Sequence, residues 1–144
     1  MPKYDRLDLS RENRLVAANT RGALMSDTKW RKVFSALDAS GLDVVQCAVK
    51  FVGIGEEKII RRPGSSALQL SRPWIDTLEF GPVALRSIEG ILFPRVANIA
   101  SIDPTIPGKQ CVQDVEAAAE IIADLGRYPY ELTPRGLLIT GYLV

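Results

Sequence analysis

The strongest constraint on the fold is an amphipathic pattern that begins near residue 26. Apolar residues recur there at i, i+3, i+4 and i+7, the period of a helix with one apolar face: Trp30, Val33, Phe34 and Leu37. Asp27 is predicted to cap the N-terminus, and Gly41 supplies the left-handed residue that commonly follows a helix end. The pattern predicts a helix that docks on a core, with Trp30 as its largest apolar group.

Short strands are predicted on both sides of a long loop. The run from 43 to 52 is rich in β-branched residues and too short for a comfortable helix. Further strands are predicted at 58–62, 67–70, 74–80, 128–132 and 137–143, with extended chain from 83 to 93. Residues 95–109 contain Pro104, Pro107 and Gly108, so this segment is predicted to be a long surface loop.

Two further helices complete the predicted set. One covers residues 11–25, with Ser10 as its N-cap, and the other covers 112–126 and ends at Gly126. The order of the elements favours an α+β fold, with a largely antiparallel β-sheet and about three α-helices packed mainly on one face. A length of 144 residues fits a single domain. Within it, 1–25 is predicted to be an N-terminal helical extension and 26–144 the core.

The absence of histidine limits the chemistry of the chain. Histidine is the usual general base near neutral pH and the commonest metal ligand, so Ser-His-Asp and Cys-His catalysis are excluded. Cys47 and Cys111 are too few for a zinc site made of thiolates, and free thiols are expected rather than a disulfide. Gly53-Ile54-Gly55 resembles the start of a dinucleotide-binding motif, but Lys58 occupies the third glycine position. We therefore expect no cofactor, no metal and no conventional catalytic set.

The charge balance argues against nucleic acid as a partner. Eighteen Lys and Arg face 17 Asp and Glu, for a formal charge of +1, whereas nucleic-acid binders concentrate basic residues. Residues 1–8 are charged and lack the apolar region of a secretory signal. No apolar run approaches the ~18 residues of a membrane span. The expected compartment is the cytoplasm, with no membrane contact.

Charged residues around the central strands are candidate contacts for a partner. Arginine beside aromatic residues, as near Trp74, is characteristic of interface hot spots. The alternative is that the charges only protect a strand edge from aggregation. Asp76, between Trp74 and Leu78, is a better candidate for burial than Glu56 and Glu57, although a position in a turn or cap is favoured. The predicted contacts are Glu56, Glu57, Arg61, Arg62, Arg72 and Asp76.

The stretch Ser26-Asp27-Thr28-Lys29-Trp30-Arg31-Lys32-Val33-Phe34 resembles the helix start of a family of small bacterial proteins of unknown function, which open with Asn- or Asp-Thr-Lys-Trp. Glu79-Phe80-Gly81-Pro82, Ile88-Glu89 and Gly141-Tyr142 are similar as well, so the resemblance spans about residues 26 to 142. Gly90 departs from the bulky residue that the family has there. The family has no established activity, so the resemblance implies no catalytic residue.

These observations favour a cytoplasmic, non-catalytic protein-binding module. By analogy of size and style, it would be an immunity protein that occludes the active site of a cognate bacterial toxin. The first alternative is a small-molecule-binding protein or carboxylate-dependent enzyme. It would use Asp76, Glu79 and a tyrosine in a pocket between the sheet and the 95–109 loop. The second is a subunit that self-associates through a strand edge. A monomer or homodimer is expected.

Overall fold

The computed structural model of the protein describes residues 9–68, 72–99 and 103–144. These ranges form an α+β domain, as the order of the predicted elements indicated. Its α-helices are α1 (Ser10–Asn19), α2 (Asp27–Ser40), the single turn α3 (Ser65–Leu68) and α4 (Val115–Leu125). None of the helices in these ranges is long and apolar enough to cross a membrane.

The main sheet is antiparallel and has five strands in the order β3-β2-β6-β10-β9. Its strands are β2 (Gln46–Phe51), β3 (Glu57–Arg61), β6 (Ile88–Pro94), β9 (Tyr130–Leu132) and β10 (Gly136–Thr140). Three two-stranded pairs surround it. They are β1 (Gly22–Ala23) with β11 (Tyr142–Leu143), β4 (Trp74–Thr77) with β5 (Gly81–Ala84), and β7 (Val96–Ile99) with β8 (Lys109–Val112).

One face of this sheet, the covered face, packs against the helices. Because side chains alternate along a strand, β2, β6 and β10 turn six apolar side chains toward α2 and α4. Each of the six is at most 1% exposed: Cys47, Val49, Ile91, Phe93, Leu137 and Ile139. The four apolar residues predicted for α2 meet them and are equally buried. The Trp30 and Phe34 rings stack with centroids 6.2 Å apart. The prediction of an amphipathic helix docked on a core is confirmed.

The opposite face, the open face, carries a shorter apolar row. Ala48, Leu92 and Leu138 stand side by side in register on β2, β6 and β10. Ala48 and Leu92 are 4% and 5% exposed, and Leu138 is half-buried. Gly90 lies on this face beside Lys50 and Thr140, where a Cβ would stand 3.2 Å from the Ile139 carbonyl oxygen. The missing side chain leaves a depression of 230 Å³.

The ends of α2 show how its sequence sets its limits. Ser26, not Asp27, is the N-cap, because the Ser26 side chain accepts a hydrogen bond from the Lys29 amide at 3.1 Å. Asp27 begins the helix and pairs with Arg86 at 3.2 Å. Gly41 ends the helix as predicted, with a φ of 73°.

The N-terminal helix is shorter than predicted and is followed by a strand. It starts at Ser10 rather than being capped by that residue, and it ends at Asn19. Thr20 is extended, and its hydroxyl donates to the Val16 carbonyl oxygen. The next residues pair as β1 with β11, and the buried Met25 reaches the core from outside the helix. An apolar residue at helical spacing was therefore assigned to the wrong element.

Three predictions for residues 67–93 were wrong in detail. Residues 67–68 lie in a helical turn rather than a strand, and 69–70 fall outside the described residues. The strand predicted at 74–80 ends at Thr77, where its hydroxyl closes a turn by donating to the Gly81 carbonyl oxygen at 3.0 Å. The extended segment from 83 to 93 is interrupted by a 3-10 turn, which places Leu85 fully in the core.

The segment predicted as a long loop is partly a β-hairpin. β7 and β8 pair at either end of residues 96–112, and 103–110 are exposed between them. Val112, which was assigned to the third helix, lies on β8 and is 81% exposed. The helix begins at Val115, since the Asp114 side chain accepts from the Ala117 amide and caps it.

Gln113 closes the end of the sheet and was not singled out from the sequence. It is the buried polar residue of the described core, at 2% exposure. Its Oε1 accepts from the Val45 and Gln46 amides, both at 2.9 Å. Its Nε2 donates to the Gln46 and Pro94 carbonyl oxygens at 3.1 and 2.9 Å. All four hydrogen-bonding positions of the amide are used, where β2 and β6 diverge.

Candidate functional site

The candidate site surrounds β3, an edge strand that β2 flanks on one side. The β4–β5 turn lies along its outer edge, where Glu79 Oε2 accepts a hydrogen bond from the Arg61 amide at 3.2 Å. The turn is held by Thr77, whose hydroxyl also accepts from the Phe80 amide. Gly81 then adopts a φ of 68°, which a side chain would disfavour. This turn covers part of the β3 edge, where a further strand could otherwise pair with β3 and extend the sheet.

Four apolar side chains around this edge are exposed. Ile54 is 42%, Ile59 54%, Phe80 49% and Leu78 82% exposed. Ile54 and Phe80 line one groove of 290 Å³, and Leu78 lines a separate cleft beside Arg61. Ile59 lies on β3 opposite Ala48 and lines neither cavity. We call these four residues and the charges around them, Glu56, Lys58, Arg61 and Asp76, the β3 surface.

The cleft has a volume of 340 Å³ and brings three of the six predicted contacts together. Its lining comprises Arg61, Arg62, Pro63, Gly64, Ala67, Asp76, Thr77 and Leu78. Arg61 and Asp76 are exposed, whereas the Arg62 side chain is only 7% exposed. Two arginines and one carboxylate thus face the same space from β3 and β4.

Arg62 is held firmly in the wall of the cleft. Its Nε donates to the Val44 carbonyl oxygen at 2.9 Å, and its Nη1 pairs with Asp38 Oδ1 at 3.4 Å. The first contact ties the end of β3 to the start of β2, and the second ties it to α2. Arg62 therefore has a structural role, and only the remainder of its guanidinium is available to a ligand.

Asp76, the better candidate for burial than Glu56 and Glu57, is exposed, and it lies on β4 rather than in a turn or cap. Trp74 and Ile75, the first residues of β4, are both buried, at 8% and 2% exposure. Asp76 follows them opposite Pro82, on the outer side of the small hairpin. Burial of the aromatic neighbour therefore says little about the carboxylate two residues later.

The two glutamates of the β2–β3 turn lie apart from the cleft. Glu56 is exposed and approaches Lys58 at 3.7 Å. Glu57 pairs with Arg135 at 2.9 Å. Because β2 and β6 lie between β3 and β10, the Glu57–Arg135 pair spans two strands of the open face.

Arg72 lies just before β4 and outside the lining of the cleft. Its guanidinium stands over the Trp74 ring, 5.8 Å from the centroid. Its carbonyl oxygen accepts from Arg31 Nε at 3.0 Å and from Nη2 at 2.6 Å. The predicted pairing of arginine with an aromatic residue is present, but its contacts anchor β4 to α2.

Leu78 and Phe80 are the residues of the site that the sequence pattern placed incorrectly. They were assigned to the strand predicted at 74–80, whereas they lie in the turn that follows Thr77. Gly81 and Pro82, which follow that segment, begin β5. A turn starting at Thr77 would have identified both residues as exposed.

Neither cysteine forms a reactive site in the described structure. Cys47 is fully buried in the covered face, and burial raises the pKa of its thiol to about 12. Cys111 is a free, partly exposed thiol on β8. Across the described ranges, no three Cys, Asp or Glu side chains converge as a metal site would require.

Comparison of the chain with protein-family models, curated proteins and solved structures finds no match. The resemblance over residues 26 to 142 therefore stays a prediction.

Proposed function

We propose that the protein is a non-catalytic protein-binding module and that the β3 surface is its contact area. The observation that supports this most strongly is the exposure of four apolar side chains beside one strand. Contiguous apolar patches on a small protein commonly mark interaction sites, and isolated ones do not. Charged residues surround the patch, as the polar rim of an interface does.

The geometry suits a binder that needs little rearrangement. Ile59 stands on a sheet strand, and Leu78 and Phe80 stand on a turn fixed by Thr77 and by the Glu79–Arg61 contact. Rigid presentation of apolar anchors lowers the entropy lost on association. A domain of this size can supply its half of an interface of about 1,200–2,000 Å².

Within this class, we propose an immunity protein that meets its toxin in the cytoplasm and blocks the toxin's active site by occlusion. Occlusion requires shape and affinity but no chemistry, which agrees with the absence of histidine from the chain. Self-association through β3 is less well supported, because Glu79 already occupies the Arg61 amide at this edge.

The test is co-expression with the product of the neighbouring gene, followed by purification and a growth assay for rescue from toxicity. Phe80→Asp and Leu78→Asp are expected to weaken the complex at least about tenfold each, since both place a charge in the patch. Val112→Asp is the matched control, because it replaces a residue that is 81% exposed and lies outside the β3 surface. Failure of complex formation and of rescue, with all proteins folded, would count against the immunity function.

A further inference from the structure

The cleft beside β3 contains charged groups whose bonding capacity is incompletely used. Arg62 uses Nε and Nη1, while its Nη2 makes no hydrogen bond to any residue in the described ranges. The Arg62 side chain as a whole is 7% exposed, but Nη2 is not one of the fully buried atoms that lack a partner. Nη2 is therefore available to an anionic group that enters the cleft, and hydrogen bonds between charged groups are the stronger ones.

Arg61 and Asp76 add two charges that, unlike Arg62, have no ion pair in the described structure. Within the described part of the chain, the Arg61 guanidinium and the Asp76 carboxylate form no ion pair, with each other or with a third residue. Both line the same cleft as Arg62. A cleft with positive groups on β3 and a negative group on β4 is complementary to a dipolar molecule rather than to a simple anion.

The remaining lining is small or apolar. Pro63, Ala67 and Leu78 supply carbon surface, and Gly64 leaves space, since a Cβ there would come no closer than 3.6 Å to Asp38 Oδ1. The volume of 340 Å³ lies at the lower end of ligand sites, which span about 300–1,000 Å³. The site therefore fits a molecule of metabolite size with one apolar part.

We propose that this cleft binds a small zwitterion of the α-amino acid class with an apolar side chain. The carboxylate accepts from Arg62 Nη2 and from Arg61, the ammonium group donates to Asp76, and the side chain lies against Leu78 and Ala67. This binding is separate from the proposed capture of a protein partner, although the two sites share Arg61, Asp76 and Leu78.

The test uses three probes that share the isobutyl side chain of leucine. Leucine carries both charges, 4-methylpentanoate lacks the amine, and 3-methylbutylamine lacks the carboxylate. Titration of the full chain, followed by amide chemical shifts, is expected to show leucine binding most tightly, with shifts centred on the cleft. Each analogue is expected to bind about tenfold or more weakly, because each loses one charge-assisted contact.

Two variants assign the two ends of the ligand. Asp76→Asn is expected to weaken leucine about tenfold and to leave 4-methylpentanoate unchanged. Arg61→Gln is expected to weaken both of these ligands about tenfold, while its backbone contact with Glu79 remains. Asp124→Asn and Arg127→Gln are matched controls at exposed positions at and just beyond the end of α4.

The proposal is overturned if none of the standard amino acids binds saturably in the millimolar range. It is also overturned if Asp76→Asn weakens leucine and 4-methylpentanoate equally, because the carboxylate of Asp76 would then have no specific role. Neither result depends on the toxin assay. Loss of the protein complex in Phe80→Asp with leucine binding intact would separate the two functions.

Discussion

The two faces of the central sheet are stabilised in different ways. On the covered face, six strand residues are at most 1% exposed and contact α2 and α4. The open face carries the apolar row of Ala48, Leu92 and Leu138, of which Leu138 is only half-buried. Two ion pairs stand on that side, Lys50–Glu89 at 3.1 Å and Glu57–Arg135 at 2.9 Å.

The difference teaches that alternation alone does not identify the face that carries the core. Ala48 and Leu92 are nearly as buried as their covered-face neighbours. Long charged side chains can cover apolar surface with their stems while their heads stay in water. The covered face is stabilised by packing against helices, whereas on the open face partly exposed ion pairs lie beside the buried apolar residues.

The largest expected effect compares adjacent leucines of β10. Leu137 is 0% exposed on the covered face, and Leu138 is half-buried on the open face. Leu137→Ala is expected to lower the free energy of unfolding by about 3–4 kcal/mol, and Leu138→Ala by about 1 kcal/mol. Urea unfolding followed by circular dichroism measures both. Equal losses would show that the open face is packed as tightly as the covered one.

Gln113→Leu tests a buried polar contact against the exposed pairs. The substitution keeps the shape but leaves the Val45 and Gln46 amides and the Pro94 carbonyl oxygen without the bonds they now make. We expect the free energy of unfolding to fall by about 2–3 kcal/mol. Gln113→Glu keeps the two acceptor contacts and loses the donors, so it separates the contributions. An unchanged unfolding midpoint for Gln113→Leu would contradict the assigned role.

The thiol of Cys47 makes the covered face sensitive to alkaline pH. Its pKa is raised from 9.0 to about 12 in the folded protein, so the folded state keeps a proton that the unfolded chain releases. Stability is therefore complete below pH 9 and falls between pH 9 and 12. One pH unit above 9.0, the loss is on the order of 1.4 kcal/mol. Cys47→Ala should remove this part of the pH dependence, whatever its own cost at neutral pH.

The smallest effect is expected from Glu57→Gln, which neutralises the exposed pair with Arg135. Both side chains are largely solvated, at 40% and 66% exposure. The expected loss is about 0.2–1 kcal/mol, and it should shrink as salt is added. Arg135→Gln should give the same result, and a double variant tests whether the two effects are coupled. A loss above ~2 kcal/mol would show that the pair holds the open face together.

The sequence pattern predicted the α+β class and α2 because local and long-range preferences agree in those regions. Trp30, Val33, Phe34 and Leu37 have helical spacing, and the sheet needs an apolar helix face. Where the chain turns repeatedly, the pattern was less informative. Leu85 is an apolar residue in a single 3-10 turn, so no periodicity distinguishes it from a strand residue.

The cleft could be predicted only in part. Arg61, Arg62 and Asp76 were predicted as charged contacts around the central strands, and they do line one space. Their convergence depends on the β4–β5 turn meeting β3, which is a contact 18 residues apart in sequence between Arg61 and Glu79. Glu56, Glu57 and Arg72 are charged residues predicted on the same grounds, but they do not line the cleft. Spacing along the chain cannot distinguish these cases.

The position of β10 in the sheet has a consequence for synthesis. This strand joins β6 to β9, yet it follows every other strand of the sheet along the chain. Until residues 136–140 leave the ribosome, β6 lacks one of its two neighbours, and its apolar side chains lack Leu137 and Ile139. Incomplete chains would therefore expose an apolar strand with one unpaired edge. We expect chains truncated before Gly136 to be bound by chaperones, and the full 144-residue chain to be bound less.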